Sequence, residues 1–471
     1  MAMGTRRKRQ RQQDLFYTSE LVEAPGHPFY TKLNEALEAA GFDAFCEERC
    51  RRFYHDKLGR PSLTPGTYFR LQLIGFFEGV GSERGIAWRV ADSLSLRRFL
   101  SYGLDEETPD HVTLSRTRRL LDAETHQAVF SWVLERLAQS GLLRGKTIGV
   151  DATTLEANAA MRSIVRRASG ESYREYLQKL AAANGEATDA AALGRQDRKR
   201  KKKASNKDWV NPHDPEAQIT KMKDGRTRLA YKVEQAVDLE TGAIVATTTH
   251  PGATGDTTSI RKTLPEAGGA VAEQLATSAE VHPEGVEEVV ADKGYHSAAV
   301  LQQLAEWDVR SYVSEPKRKR RKWRGKAAEQ AATYANRRRV EGERGKQLLR
   351  GRGEKLERPF AHQFETGGMR RVQVRGLDEV HKKLLLQAAA CNLALLLRTK
   401  HGAGTPRGLA EAEKALCGLI LGLLEDLKAL QAVSTAHVDL YRRTNRIQSG
   451  RARNRCSFRP SQKNGRFDTG C

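Results

Sequence analysis

Two aspartates stand at the ends of short apolar runs and are the residues best suited to chemistry in this chain. Asp151 lies in TIGVDATTLEAN (147–158) and Asp292 in VVADKGYHS (289–297). β-Branched runs bounded by turn-forming residues predict buried strands. Carboxylates that project from the ends of neighbouring strands can converge on divalent cations, and oxygen-only sites suit Mg²⁺ or Mn²⁺. In a basic chain, such a site predicts phosphodiester chemistry on nucleic acid.

The overall charge agrees with a nucleic-acid substrate. The chain has 471 residues, with 80 Lys and Arg against 58 Asp and Glu, a formal net charge of +22. Such an excess favours a polyanionic partner through counterion release, although a basic surface can also serve solubility alone. Two dense basic runs, 195–203 and 316–326, add to this, and the first should be disordered without a partner.

The sequence predicts a cytoplasmic protein that does not enter a membrane. The basic start, MAMGTRRKRQRQQ, is followed by QQDLFYTSE rather than an apolar run, which excludes a signal peptide. The nearly apolar stretch Leu384–Leu397 is too short to span a bilayer and predicts a buried helix. The six cysteines are scattered, as in a reduced compartment. A zinc site at Cys46, Cys50 and His55 is disfavoured, because a second ligand pair at ordinary spacing is missing.

The elements that must position the two aspartates alternate between strand and helix. The first 145 residues are predicted to be helical, with Ser82 capping one helix, and residues 146–155 to form the first strand. A basic insertion at about 156–225 follows. The later predicted elements are a hairpin of Leu229–Val237 and Ala243–Thr249, a helix from about 256 to 275 capped by Asp256, strand 286–291, helix 296–306, strand Val309–Val313 and an apolar helix over 378–398. This order predicts an α/β fold with a mixed sheet flanked by helices.

Two aspartates are too few to hold two metal ions, so a third acid is expected on a helix beside the sheet. The best candidate is Glu357, in a helical and basic stretch beyond the last strand. Glu354, one helical turn earlier, could serve instead. Weaker candidates are Glu341, Glu343 and Glu365.

Several motifs in a fixed order resemble the DDE-type transposases of bacterial insertion sequences. They are DATTLEAN, ADKGYHS and ERPFAHQFETGGMRRVQVRG, preceded by LQLIGFFEGVGSERGIAWRVADSLSLRRFLSYGL and by NPHDPEAQITKMKDGRTRLAYKVEQAVD. The resemblance runs from about residue 15 to about residue 400. It is specific because the motifs occur together and in order.

The resemblance implies an RNase H-like fold whose catalytic acids are Asp151, Asp292 and Glu357. It also implies that these acids hold Mg²⁺ or Mn²⁺, as two ions, and it favours Glu357 over Glu354. Many relatives carry a DNA-contacting basic residue seven positions after the Glu, where this chain has Phe364. Three basic residues are therefore considered as DNA contacts, namely Lys293, Arg370 and Arg371.

The sequence as a whole predicts a DNA transposase of three parts. A helical DNA-binding domain (1–145) precedes an RNase H-like catalytic domain (146–400) and a weakly ordered tail (401–471). In this tail a helix is expected over 416–430 and disorder over 441–471. The expected activity is binding of terminal inverted repeats, metal-dependent cleavage and strand transfer, carried out by a homodimer on double-stranded DNA in the bacterial nucleoid. The alternatives are a metal-dependent nuclease of the same fold, an inactive DNA-binding remnant and a basic nucleoid protein.

Overall fold

The computed structural model describes residues 3, 26–55, 62–200, 204–317 and 322–453. They belong to two compact units, Met1–Pro406 and Arg407–Cys471. Parts of both basic runs, at 201–203 and 318–321, and the end of the chain from 454, for which disorder was predicted, lie outside the described residues.

The N-terminal region is helical, as predicted. Its helices are α1 (Pro28–Ala39), α2 (Phe42–Cys50), α3 (Pro65–Phe77), α4 (Glu83–Ala91), α5 (Leu94–Phe99), α6 (His111–Leu120) and α7 (Ala123–Gln139). Ser82 caps α4, because its Oγ accepts a hydrogen bond from the amide of Gly85 at 3.1 Å. A side-chain oxygen at this position satisfies one of the backbone N–H groups that the first helical turn leaves unpaired.

A mixed sheet forms the centre of the larger unit, which confirms the predicted fold class. Its strands are β1 (Thr147–Glu156), β4 (Gln218–Lys221), β5 (Thr227–Asp238), β6 (Ile244–Pro251), β7 (Glu288–Ala291) and β8 (Arg310–Val313). The order is β4-β5-β1-β7-β8, and β6 pairs with β5. β1 is antiparallel to β5 and parallel to β7, and β7 is parallel to β8. A helical region followed by this sheet is the RNase H-like arrangement.

The predicted insertion is more ordered than expected. It contains β2 (Val165–Arg166), β3 (Trp209–Val210), α8 (Tyr173–Ala183) and α9 (Ala190–Lys199), and its end supplies edge strand β4. The first basic run therefore begins inside a helix. Two contacts stabilise α9: Asp189 caps its N-terminus, and the Arg200 guanidinium that follows lies over the Tyr173 and Tyr176 rings.

Further helices of the larger unit cover both faces of the sheet. They are α10 (Asp256–Glu273), α11 (Ala298–Glu306), α12 (Ala327–Glu341), α13 (Glu343–Ala361) and α14 (Leu377–His401). The second unit contains most of α15 (Pro406–Arg453). Successive side chains of a strand point to opposite faces. Ile148 and Val150 of β1 accordingly share one core with Ile260 and Leu264 of α10, whereas Gly149 faces α13.

Helix α14 is the buried apolar helix that the sequence predicts. It packs along α7 and β6, and Asn392 exchanges hydrogen bonds with the backbone of Ile244 at 2.9 and 2.8 Å. Among the described residues, Leu377–Glu411 has one window long and apolar enough to cross a membrane, but 83% of that window is buried inside the fold. The apolar stretch is thus used for core packing.

Two local predictions were wrong in detail. Asp256 is the first residue of α10 and not its cap, since Gly255 takes the cap position without a side-chain hydrogen bond. The helix expected over 416–430 is part of the much longer α15, which continues through 441–453, where disorder was predicted. Both errors concern the ends of elements, which depend on tertiary contacts more than on local pattern.

Candidate active site

The sheet places Asp151 and Asp292 side by side. Val150 of β1 pairs with Ala291 of the parallel strand β7, and Asp151 and Asp292 directly follow these two residues. Because the strands are parallel and in register, the two carboxylates lie side by side at the edge of the sheet where β7 ends. Strand alternation directs both side chains toward the face that α13 covers. The two aspartates predicted from sequence are thus neighbours.

A tight turn holds Asp292. One carboxylate oxygen of Asp292 accepts a hydrogen bond from the amide of Gly294 at 2.7 Å, and Lys293–Tyr295 form a single 3₁₀ turn. Beneath the turn, the buried Tyr295 hydroxyl donates to Glu234 of β5 at 2.9 Å. The turn leaves the Asp292 side chain partly exposed while its backbone is anchored.

Asp151 is partly buried and has a cationic neighbour. Its Oδ1 accepts a hydrogen bond from the amide of Ala152 at 2.9 Å, and its Oδ2 lies 3.7 Å from Nη1 of Arg352 on α13. Burial raises the pKa of Asp151 and the nearby charge of Asp292 adds to this, whereas the Ala152 amide and Arg352 oppose it. Two neighbouring carboxylates whose repulsion is only partly offset by nearby positive charge favour a bound cation.

Helix α13 carries both candidates for the third acid across this face of the sheet. Buried Leu356 lies under β1, with its Cδ1 3.2 Å from the position of a Cβ on Gly149. Glu357 shares a flank of the helix with Phe360 and Phe364, at spacings of three and four residues. Both rings pack on the apolar cluster that contains Leu155, near the C-terminal end of β1.

Glu354 lies three residues before Glu357 and shares this flank, so the helix geometry does not distinguish the two acids. Both side chains are exposed. Within the described ranges, no group of three acidic, His or Cys side chains is close enough to hold a metal ion. The structure thus brings Asp151 and Asp292 together but does not bring Glu357 into contact with them.

One of the three predicted DNA contacts lies beside the aspartates. Lys293 is exposed on the Asp292 turn. Arg371 forms a bridge with Glu156 at the end of β1, five residues beyond Asp151, and their side chains are 3.8 Å apart. Arg370 is exposed and pairs with Glu365. Lys293 is therefore a neighbour of Asp292, whereas Arg371 lies farther along β1.

Sequence reasoning assigned no role at this site to Lys232, Glu234, Asp256 or Arg352, and it predicted Asp256 only as a helix cap. Lys232 and Glu234 are buried in β5. Their signal was present, because two charges at a spacing of two interrupt a mostly apolar strand, AYKVEQAV, on one face. No pattern distinguished Arg352 from the other arginines of its helix.

The donor set fits a hard divalent cation. Both aspartates offer carboxylate oxygens at one sheet edge, and burial and mutual repulsion already disfavour the ionised state of Asp151. Oxygen donors of this type are those that Mg²⁺ and Mn²⁺ prefer.

Two family models match the chain. The Transposase domain (DUF772) matches residues 16–120, and the Transposase DDE domain matches residues 199–393. The second match includes Asp292 and Glu357 but begins after Asp151. No curated protein matches the chain. A transposase N-terminal domain followed by a DDE domain, on a helical region and a mixed sheet, shows that the chain belongs to the DDE-type transposases of insertion sequences.

Proposed function

We propose that this transposase cleaves the ends of its element and joins them to target DNA, with Asp151, Asp292 and Glu357 as the catalytic acids. The observation that carries this proposal is the register of β1 and β7, which sets two carboxylates side by side at the sheet edge. The match to the transposase DDE domain includes Glu357 and supports it as the third acid. Glu357 would join the two aspartates when metal and DNA bind, which requires its side chain or α13 to move.

The three acids supply negative charge at a fixed edge, and two Mg²⁺ or Mn²⁺ ions held there would activate the attacking oxygen and stabilise the leaving oxygen. In cleavage, a water oxygen bonds to phosphorus at the element end and the 3′-oxygen leaves as a hydroxyl. In strand transfer, that hydroxyl attacks a target phosphodiester and displaces the target's own 3′-oxygen. Lys293, next to Asp292, would contact phosphates at this edge, and Arg371 would contact the DNA farther along β1.

We further propose that the N-terminal helices recognise the terminal inverted repeats. Arg116 and Arg119 are exposed on α6, and Trp88 is 68% exposed on α4, which packs beside it. Arginines and an aromatic ring on neighbouring helices suit contacts to phosphates and base edges. Because two ends must be joined in one event, the active form is proposed to be a homodimer on DNA.

The test uses the full chain and a plasmid that carries the coding sequence with its native flanking DNA. In Mg²⁺, the wild-type protein should release the element ends and produce joined products in a second plasmid. Asp151→Asn and Asp292→Asn should each abolish both products while DNA binding and folding persist, and Asp92→Asn, at an exposed position on α4's end, should be neutral. Cleavage by either aspartate variant at nearly the wild-type rate would contradict the site.

Two outcomes would favour the alternatives. Cleaved ends without joined products would indicate a nuclease of the same fold. Binding to the flanking repeats without any cleavage by the wild-type chain would indicate an inactive remnant.

A further inference from the structure

Two buried charged residues, Lys232 and Glu234, lie behind the sheet edge on the face opposite α13. Lys232 of β5 is 4% exposed, and its ammonium donates to Oδ1 of Asp256 at 2.5 Å, to Oγ of Ser259 at 2.8 Å and to the Thr254 carbonyl at 3.2 Å. Every acceptor comes from the start of α10 or from the loop before it. The ammonium therefore fixes the N-terminus of α10 against the middle of β5.

Glu234, two residues along the same strand face, completes the cluster. It is fully buried and accepts hydrogen bonds from three hydroxyls, those of Ser259, Thr263 and Tyr295. Lys232 lies 3.9 Å away. A buried carboxylate is tolerated only when donors surround it. One of these donors, Tyr295, belongs to the turn that begins with Asp292.

Asp256 contacts the same turn from the side. A Cβ on Gly294 would collide with the Asp256 carboxylate and would lie 3.0 Å from Oδ1 of Asp292. Only a glycine thus allows the turn to approach α10 this closely. The Asp292 turn is held from below by Glu234, through Tyr295, and from the side by Asp256.

We propose that Lys232, Glu234 and Asp256 are positioning residues, which hold the Asp292 turn in register with Asp151. Lys232 has a second effect, since its ammonium neutralises Asp256 and so limits the repulsion between that carboxylate and Asp292. This inference rests on the proposed metal site of Asp151 and Asp292.

Burying the charges of Lys232 and Glu234 has a desolvation cost that a role in stability alone does not explain. Replacing a buried ion pair with apolar side chains of similar size is often neutral or stabilising. Residues that orient metal ligands, by contrast, typically change metal affinity or activity by roughly 10- to 100-fold when they are removed. Measuring both metal affinity and thermal stability in the same variants can therefore distinguish a positioning role from a purely structural one.

The experiment measures Mn²⁺ binding to the full chain by electron paramagnetic resonance, together with the thermal unfolding midpoint. Tyr295→Phe removes only the hydroxyl that reaches Glu234, and Asp256→Asn removes only the charge. Each is expected to weaken Mn²⁺ binding by about 10-fold or more while the protein stays folded. Lys262→Met, which breaks the exposed pair with Glu266 on the same helix, is the matched control and should bind Mn²⁺ normally.

Lys232→Met tests the charge pairing, and it is the variant at greatest risk of not folding. Its double variant with Asp256→Asn removes both charges and should fold. If the residues act as a pair, the double variant should bind Mn²⁺ no more weakly than Asp256→Asn alone. Additive losses would contradict the pairing.

Two results would overturn the inference. A lowered unfolding midpoint with wild-type Mn²⁺ affinity in Tyr295→Phe and Asp256→Asn would show a purely structural role. Asp292→Asn serves as the reference: if it too binds Mn²⁺ as the wild type does, the metal site of the proposed function fails, and the positioning role fails with it.

Discussion

Asp151 combines partial burial with a neighbouring carboxylate, and both disfavour its charge. Burial is the largest cause of its raised pKa, and Asp292 adds to it. Arg352, at 3.7 Å, compensates only in part. In the metal-free protein, ionised Asp151 should therefore oppose folding, and a cation bound at the edge should relieve this.

We predict that Asp151→Asn stabilises the metal-free protein at neutral pH. A folded-state pKa above the ordinary value of 3.8 means that the contribution of Asp151 to stability is complete below that value and is lost as the pH rises through the folded pKa. The free energy of unfolding, measured by urea titration with chelator at several pH values, should fall less steeply above pH 4 in the variant. A variant less stable than the wild type at pH 7 would show that Arg352 dominates instead.

The choice between Glu357 and Glu354 depends on one turn of α13. Glu357→Gln should reduce cleavage by roughly 100-fold or more, the scale of removing one charge-stabilising group. Glu354→Gln, equally exposed and three residues away, should cut at nearly the wild-type rate. Initial cleavage rates on the flanking-DNA plasmid distinguish the two acids. The reverse result would identify Glu354, one helical turn earlier, as the third acid.

At the scale of elements, the approach of α13 to β1 sets where the proposed third acid, Glu357, lies. Leu356 contacts the sheet at Gly149, and the buried Gln363 accepts a hydrogen bond from Gln235 at 3.0 Å. Gln235 is the cross-strand partner of Asp151. Gln363 lies in a π-helical turn, His362–Thr366, that directly follows α13. These contacts hold the helix beside Asp151 and limit its movement along its own axis.

Gly149→Ala should disturb this packing. The added Cβ would lie 2.6 Å from Cδ2 of Leu239 and 3.2 Å from Cδ1 of Leu356, so it must displace one of them. We expect a loss of about 1–3 kcal/mol in the free energy of unfolding, as for other overpacked cores, together with slower cleavage. Gly194→Ala, in helix α9 with open space around it, should be neutral or slightly stabilising. Equal stability of the two variants would mean that α13 is not held at Gly149.

At the scale of the whole molecule, the net charge of +22 governs DNA affinity. The exposed arginines and lysine of α9 belong to the first basic run, well away in sequence from either aspartate. Such side chains are suited to phosphate contacts, which carry no sequence information.

Replacing Arg195, Arg198 and Lys199 with Gln should weaken binding to repeat and scrambled DNA alike. The log–log dependence of affinity on salt should flatten by about 0.9 for each phosphate contact that is lost. Fluorescence anisotropy over a range of salt concentrations measures both effects. A loss confined to repeat DNA would instead assign sequence recognition to this helix.

Local patterns were sufficient for much of the fold. Apolar alternation located β1, β5 and β6, helical spacing located the N-terminal helices and α14, and each pattern reflects burial along one element. The same patterns identified Asp151 and Asp292, because each acidic residue directly follows a short buried apolar run. They missed edge strand β4, which is short and polar and depends on its pairing with β5.

The sequence by itself determined the class of protein and singled out Asp151 and Asp292, with Glu357 or Glu354 as the proposed third acid. Only the tertiary structure decided that β1 and β7 pair in parallel, in the register that makes the aspartates neighbours. It also decided that Lys232, Glu234 and Asp256 meet behind the Asp292 turn. The physical reason is range: periodicity reports burial along one element, whereas register and charge pairing are set by contacts between residues far apart in the chain.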